Sequence, residues 1–338
     1  MLQQADADVA LGPLESNRFA SGGEDMSLCV VIPCLNEQDN VEAAYLEAIT
    51  ELAAYEPLEV LFVDDGSTDG TLEVIKELAR RDSRVTYVSF TRNFGLEAAF
   101  SAGYRYAHRP WILHLDADLQ FPASTAHRMV AQARNGFDAV FGVRTQRHDP
   151  WHRRLSSLVH NSIARRLLGI EMPAHATSFR LVRTSLARTI VDLELGTPYF
   201  LATLPQLTRR WTTVSTEHRA RAHGRSKVTF GGLARHALGL FMGFSSRPLL
   251  SAAGAGLLAS IAFALAVIAG AVSSPTGTLA GLGAGGVFMG WGIAMLSGSA
   301  LLIRRDQRRT PPFLIAEANF ALRPQDDLQR NDHRALTA

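Results

Sequence analysis

Between Pro248 and Ile303 the chain carries no charged residue. A Ser-Ser-Pro-Thr turn at 273–276 divides this run into two apolar segments, about 248–273 and 277–303, each longer than the roughly 20 residues that cross a bilayer core. Their Gly and Ala content suits close packing of helices in lipid. Arg247 precedes the first segment, and Arg304, Arg305, Arg308 and Arg309 follow the second. The positive-inside rule then predicts a two-helix transmembrane hairpin with both chain ends cytoplasmic. A wholly soluble protein is excluded on this reading. With 47% hydrophobic and 20% charged residues in 338, so is a disordered or collagen-like chain.

The remainder divides around that hairpin. Residues 1–25 are polar and aperiodic and read as a flexible extension, with Met26 as an alternative start. Residues 229–247 place Phe230, Leu233, Ala237, Leu240, Phe241 and Phe244 at helical spacing, an amphipathic helix suited to the membrane interface. Residues 304–338 read as a cytoplasmic tail. The net charge of +2 gives no electrostatic case for nucleic acid. Lysine occurs only at Lys76 and Lys227, and the two cysteines, Cys29 and Cys34, suit a reducing compartment better than a disulfide framework.

From Leu28 to about Phe141, apolar runs at Leu28–Ile32, Val60–Val63, Val85–Phe90, Ile112–Leu115 and Ala139–Phe141 alternate with helical stretches. In Val41–Ala54 the residues Val41, Ala44, Tyr45, Ala48 and Leu52 share one face. Thr71–Leu78 and Leu96–Ala107 behave alike, and Ser67 or Thr68 is placed to cap the helix beginning near Gly70. Such alternation predicts an α/β domain over 26–228 built on a mostly parallel sheet. Helices are also expected near 152–168 and 184–194. Ligands of such sheets bind beyond the carboxyl ends of the strands.

Carboxylates stand at two of those ends. Asp64 and Asp65 close Leu-Phe-Val and lead into Gly66-Ser-Thr-Asp-Gly70. Asp116, Ala117 and Asp118 close Trp-Ile-Leu-His-Leu. Alternate residues of an extended segment point the same way, so Asp116 and Asp118 share a site. Two neighbouring carboxylates need neutralising, and a hard divalent ion such as Mg²⁺ or Mn²⁺, shared with substrate phosphates, does so. Either motif alone is commonplace: the first also describes a turn with a helix cap, and Asp-X-Asp is a frequent accident. His152, His160 and His175 lack the spacing of a zinc site.

In order along the chain stand Val30-Val-Ile-Pro33-Cys-Leu-Asn36-Glu37, Val63-Asp-Asp65-Gly-Ser-Thr-Asp, Arg92-Asn-Phe-Gly95, Asp116-Ala-Asp118-Leu-Gln120 and Ser178-Phe-Arg180-Leu. Arg221-Ala-His-Gly-Arg-Ser226-Lys227 and Phe244-Ser-Ser-Arg-Pro248-Leu follow. This series resembles the family 2 glycosyltransferases of GT-A (Rossmann-like) fold. It is most similar to the polyprenyl-phosphate glycosyltransferases related to dolichyl-phosphate mannose synthase, whose bacterial members carry two C-terminal spans. The resemblance runs from about Leu28 to Ile303.

It implies an inverting transferase at the inner membrane. The sugar would pass from a nucleotide-sugar, a UDP-sugar favoured, to a polyprenyl phosphate with Mg²⁺ or Mn²⁺ as cofactor. Pro33, Asn36, Glu37, Asp65 and Asp116 would bind the nucleotide-sugar, and Asp118 with Gln120 the metal. Arg221 and Lys227 would join Asp116 and Asp118 in catalysis. Arg144, Arg147, Arg153, Ser178, Arg180 and Ser226 would receive the acceptor phosphate, although a basic face docked on anionic headgroups explains the arginines equally. Relatives assemble through their spans, which makes a homo-oligomer an expectation as well.

Leu96 stands where relatives usually carry lysine, Phe121 where a polar residue follows Leu-Gln, Val228 where an aromatic follows Ser-Lys, and Ser178 where many carry aspartate. The missing aspartate removes an obvious general base, which a hydroxyl acceptor needs and an anionic phosphate does not. Alternatives are a hydroxyl acceptor (lipid or glycan) and a catalytically silent membrane scaffold. A haloacid dehalogenase-type phosphatase needs a downstream lysine and then a second acidic pair, but the only later lysine is Lys227 and the only later Asp-Asp pair lies beyond the spans. Gln206-Leu-Thr-Arg-Arg-Trp211 misses the Gln-X-X-Arg-Trp spacing of processive polysaccharide synthases by one residue.

Overall fold

The structure is a computed structural model. It describes residues 26–144, 173, 176–193, 199–219, 247–272 and 313–323, with a few positions between 286 and 300. The expected extension 1–25, the helix at 152–168 and the interfacial helix up to residue 246 lie outside the described residues.

The apolar runs form strands buried on both faces, because helices cover the two sides of the sheet and no polar alternation is needed. The described elements are β1 (Leu28–Cys34), α1 (Val41–Glu51), β2 (Glu59–Asp64), α2 (Thr71–Arg81), β3 (Val85–Phe90), α3 (Leu96–Tyr106) and β4 (Trp111–His114). They continue with α4 (Ala126–Arg134), β5 (Ala139–Arg144), β6 (Ala176–Arg183), α5 (Thr184–Asp192), α6 (Phe200–Leu207), β7 (Trp211–Thr216), α7 (Arg247–Val272) and β8 (Ile315–Ala318). The strand order is β7-β5-β6-β4-β1-β2-β3-β8. Among neighbours only the pairs with β6 and β8 are antiparallel, so the sheet is mostly parallel, as expected.

Alternating residues feed two cores. Leu28, Val30 and Ile32 of β1 pack towards α1, α2 and α4, while Cys29 and Val31 face the layer of α3, α5 and α6. Both cysteines are buried free thiols. The stripe Val41, Ala44, Tyr45 and Ala48 is the buried face of α1, and Leu52 at its C-cap is fully buried. Gly103 lets α3 press on β1: a Cβ there would lie 2.3 Å from Val31 Cγ1.

Three observations depart from the sequence expectations. Neither Ser67 nor Thr68 caps α2, whose N-cap is Gly70. Ser67 Oγ instead accepts the Asn36 amide at 2.9 Å, and Asp69 takes the Thr71 amide at 3.0 Å. β6 is an antiparallel insertion that pairs His114 with Arg180 across β4. The region read as a tail returns to the sheet: β8 pairs with β3, Tyr87 Oη donates to Glu317 at 2.6 Å and Lys76 Nζ lies 2.7 Å from the same carboxylate.

The helix Arg247–Val272 has 26 residues, and Leu257, Leu258, Ile261, Phe263, Leu265 and Ile268 on it are exposed. Among the described residues no helix is long and apolar enough to cross a membrane. The expected second span, 277–303, is described only at scattered positions.

Candidate active site

The carboxyl ends of β1, β2, β3 and β4 open on one edge of the sheet, with the two inter-strand turns locked together there. Asn36, at φ 52°, accepts the Thr68 amide on Oδ1 at 2.8 Å. The Glu37 amide donates to Thr71 Oγ1 at 2.8 Å, and Glu37 Oε2 accepts Asn40 Nδ2 at 2.6 Å. Pro33 is buried within β1 opposite Val63. Of the expected nucleotide-sugar residues, Asn36 and Glu37 thus shape the turns and keep partial exposure, while Pro33 lies beneath them.

Asp64 is internal: its carboxylate accepts Ser89 Oγ at 2.6 Å and the Ser67 amide at 3.1 Å. Asp65 faces the Arg92–Gly95 turn, accepting the amides of Phe94 at 2.7 Å and Gly95 at 3.0 Å. Burial pushes its carboxyl up to about 6, with those amides opposing the shift. Gly66 makes the approach feasible: its φ is +70°, and a Cβ there would sit 2.3 Å from the Arg92 carbonyl carbon.

Beyond β4, Asp116 accepts the Ser178 hydroxyl and lies 3.5 Å from His114 Nε2. Burial, and secondarily the charge on Asp118, lifts its carboxyl to about 6; Ser178, Arg180 and Arg144 pull the other way. His114 is fully buried, and burial with the Arg180 charge holds it well below the usual range, hence neutral. Asp118 is 8% exposed and accepts the Gln120 amide at 3.1 Å. Leu119 between them takes φ 58°, a left-handed conformation costing roughly 1–2 kcal/mol in a residue other than glycine. Among the described residues no group of three or more His, Cys, Asp or Glu side chains is gathered to hold a metal ion. Asp116 and Asp118 are a pair, with oxygen ligands suited to a hard cation.

Two residues expected at the acceptor phosphate serve otherwise. Ser178 spends its hydroxyl on Asp116. Arg180 is 1% exposed, donates Nε to Tyr104 Oη at 2.6 Å and stacks 4.6 Å over Phe100, so its guanidinium belongs to the interior. Its partners arrive from α3, where Glu97 is pushed up to about 7 by burial against the pull of Arg180. Arg144, by contrast, is exposed at the end of β5 and lies over the Phe121 ring at 5.8 Å. Arg147, Arg153, Arg221, Ser226 and Lys227 lie outside the described residues.

Sequence reasoning missed Glu47, Glu97, His218 and Arg219. Phe121 was noted only as a departure, yet it is buried, stacks on Phe179 at 6.1 Å and meets His218 edge-on at 5.5 Å. A buried aromatic beside the carboxylate loop signalled neighbours from later strands without saying which.

Residues 29–191 match the family described as Glycosyl transferase family 2. An undecaprenyl-phosphate 4-deoxy-4-formamido-L-arabinose transferase of Edwardsiella ictaluri (strain 93-146) is 32% identical over 243 residues, 71% of this chain and 74% of that protein. The transferase of the same description from Pseudomonas fluorescens (strain SBW25) is 33% identical over 246 residues, 71% of this chain and 69% of its own. Among solved structures, glucosyl-3-phosphoglycerate synthase from Mycobacterium tuberculosis in complex with Mn²⁺ and UDP-glucose matches with a TM-score of 0.47 and 18% identity, over 65% of this chain and 79% of that one.

Proposed function

This chain belongs to glycosyl transferase family 2 and is a glycosyltransferase, and we propose that it transfers a sugar from a nucleotide-sugar to the phosphate of a polyprenyl carrier at the cytoplasmic face of a membrane. The observation that carries the reading is the placement of Asp116 and Asp118 at the end of β4, on the sheet edge where Asp65 holds the Arg92–Gly95 turn. Carboxylates there suit a divalent cation shared with the diphosphate of a donor bound beyond the strand ends.

The donor nucleotide lies against Asn36 and Glu37, with Pro33 beneath them and Asp65 holding the adjoining Arg92–Gly95 turn. Asp118 and Gln120, with Asp116, would hold a Mg²⁺ or Mn²⁺ ion; such an ion would supply neutralisation of charge on the departing diphosphate. Ser178 and the buried Arg180 steady Asp116 from behind. Arg144, with Arg147, Arg153 and Ser226, attracts the anionic acceptor, and Arg221 and Lys227 meet the leaving group. The acceptor phosphate is already ionised near neutral pH, so a positioning site suffices where no aspartate replaces Ser178. Attack in line inverts the anomeric centre.

The membrane hairpin at 248–303 is supported by the uncharged sequence and by the exposed apolar side chains of α7. Arg219, whose amide donates to the Gln120 carbonyl, and Phe313, stacked on Phe90, flank the apolar stretch in sequence and both pack on the sheet domain. An even number of crossings is needed to leave and return on one side.

The test is transfer by the full chain in detergent or liposomes. UDP-, GDP- and dTDP-sugars are offered with undecaprenyl phosphate and Mg²⁺ or Mn²⁺, and the lipid product is read by mass. A metal-dependent glycolipid that vanishes in Asp118→Ala supports the reading. Nucleotide binding without lipid product points to a hydroxyl acceptor, and neither binding nor product overturns the enzyme reading.

A further inference from the structure

Glu47 lies on α1, outside every sequence motif, yet its carboxylate reaches the carboxylate loop from two directions. Oε1 accepts the Ala123 amide at 2.8 Å. Both oxygens lie 3.1 Å from Arg219 Nη1. Arg219, just past β7, in turn donates its own amide to the Gln120 carbonyl at 2.8 Å. One side chain thus fastens both ends of the turn Gln120–Ala123, one directly and one through Arg219. The Glu47 side chain is 18% exposed and that of Arg219 48%, so water competes more for the ion pair than for the Ala123 bond.

The same loop contains Leu119 at φ 58°. A left-handed backbone in a branched residue persists only where the surroundings over-determine it. Gln120–Asp118 and Leu119–Asp116 contacts stay within the loop and cannot anchor it to the domain. Phe121 packs it sideways on Phe179 and His218. The Glu47 contacts are the polar ties that reach it from α1.

We propose that Glu47, acting with Arg219, is a positioning residue that holds the loop 116–122 in its left-handed form and thereby sets the placement of Asp118 and Gln120. This rests on the glycosyltransferase reading of that loop. Glu47 touches neither donor nor acceptor; its effect passes through the backbone at Gln120 and Ala123.

The experiment measures donor KM, kcat and the half-activating Mn²⁺ concentration for the full chain, with direct binding of UDP or GDP plus Mn²⁺ and thermal melting alongside. Loss of an outer contact to a metal-binding loop typically costs about 10–100-fold in metal affinity. Glu47→Ala is expected to raise the Mn²⁺ requirement and donor KM by about tenfold, with a smaller change in kcat. Arg219→Lys, which keeps the charge, gives a milder version. Adding Leu119→Gly to Glu47→Ala restores much of the loss, since glycine takes positive φ without strain. A variant that melts earlier but keeps wild-type Mn²⁺ requirement and KM overturns the proposal, as does failure of Leu119→Gly to rescue. Wild-type protein that neither binds nucleotide nor transfers sugar overturns the enzyme reading and this inference with it; an active wild type with an unaltered Glu47→Ala overturns this inference alone.

Discussion

Ser178 donates its hydroxyl to Asp116, joining the start of β6 to the carboxylate that follows β4. The bond stabilises the charged form of Asp116 against the burial that raises it to about 6. A hydrogen bond to a charged group is worth roughly 1.5–3 kcal/mol, or on the order of one to two pKa units. In Ser178→Ala the acid limb of the transfer rate should therefore move to higher pH. Activity should fall more at pH 6 than at pH 8. A pH–rate profile with an unmoved acid limb would show that Asp116 does not govern it.

Asp118→Asn should eliminate transfer while leaving the melting temperature within a few degrees. Asp118 lies in the loop beyond β4, and the role proposed for its charge is to hold a cation, not to stabilise the core. Metal-stripped protein should behave likewise and recover on adding Mg²⁺ or Mn²⁺. Product mass and circular dichroism, measured on the same samples, separate lost chemistry from lost fold.

Gly66→Ala combines a positive φ with a Cβ 2.3 Å from the Arg92 backbone. Backbone cannot swing aside as a side chain does, so the Arg92–Gly95 turn must shift. The expected cost is about 1–3 kcal/mol, read by urea denaturation, together with weaker nucleotide binding.

Asp82 accepts Arg84 through Nε and Nη2 and the Tyr45 hydroxyl at 2.7 Å, and the Arg84 fork holds its carboxyl down to about 2. A depressed carboxylate adds stability that is complete above the unfolded value near pH ~4 and is lost as pH falls towards the folded value. The melting difference between wild type and Asp82→Asn should be level from pH 5 to 8 and shrink between about pH 4 and 2. A difference that stays constant through that window refutes the assignment.

The returning strand is testable by hydrogen exchange. Asn319 Oδ1 accepts the Tyr87 amide at 2.8 Å, and Nδ2 donates to the Val85 carbonyl at 3.2 Å. Asn319→Ala should speed exchange at Tyr87 and cost about 1–2 kcal/mol. Unchanged protection at Tyr87 would show that the edge of β3 closes by other means.

Short-range order along the chain already encodes much of the frame. Apolar runs of strand length, helices between them and carboxylates closing two of those runs are local properties, and a parallel sheet turns them into a site at its carboxyl edge. Even the face of α1 was legible, because helical period and burial agree at Val41, Ala44, Tyr45 and Ala48. The uncharged stretch from Pro248 is equally plain in the residues themselves.

Which distant residues meet those carboxylates depends on how the strands pair. Arg180 reads in sequence as a free cation; the antiparallel pairing of β6 with β4 turns it inward beside His114, onto the aromatic rings of α3. Ser178, two residues before Arg180 on the same face of the strand, reaches Asp116. Glu47 and Arg219, Tyr87 and Asn319, are joined only by the packing of elements far apart in the chain. Periodicity records which face of an element is buried, whereas the partner on that face depends on strand order and register, which no local pattern contains.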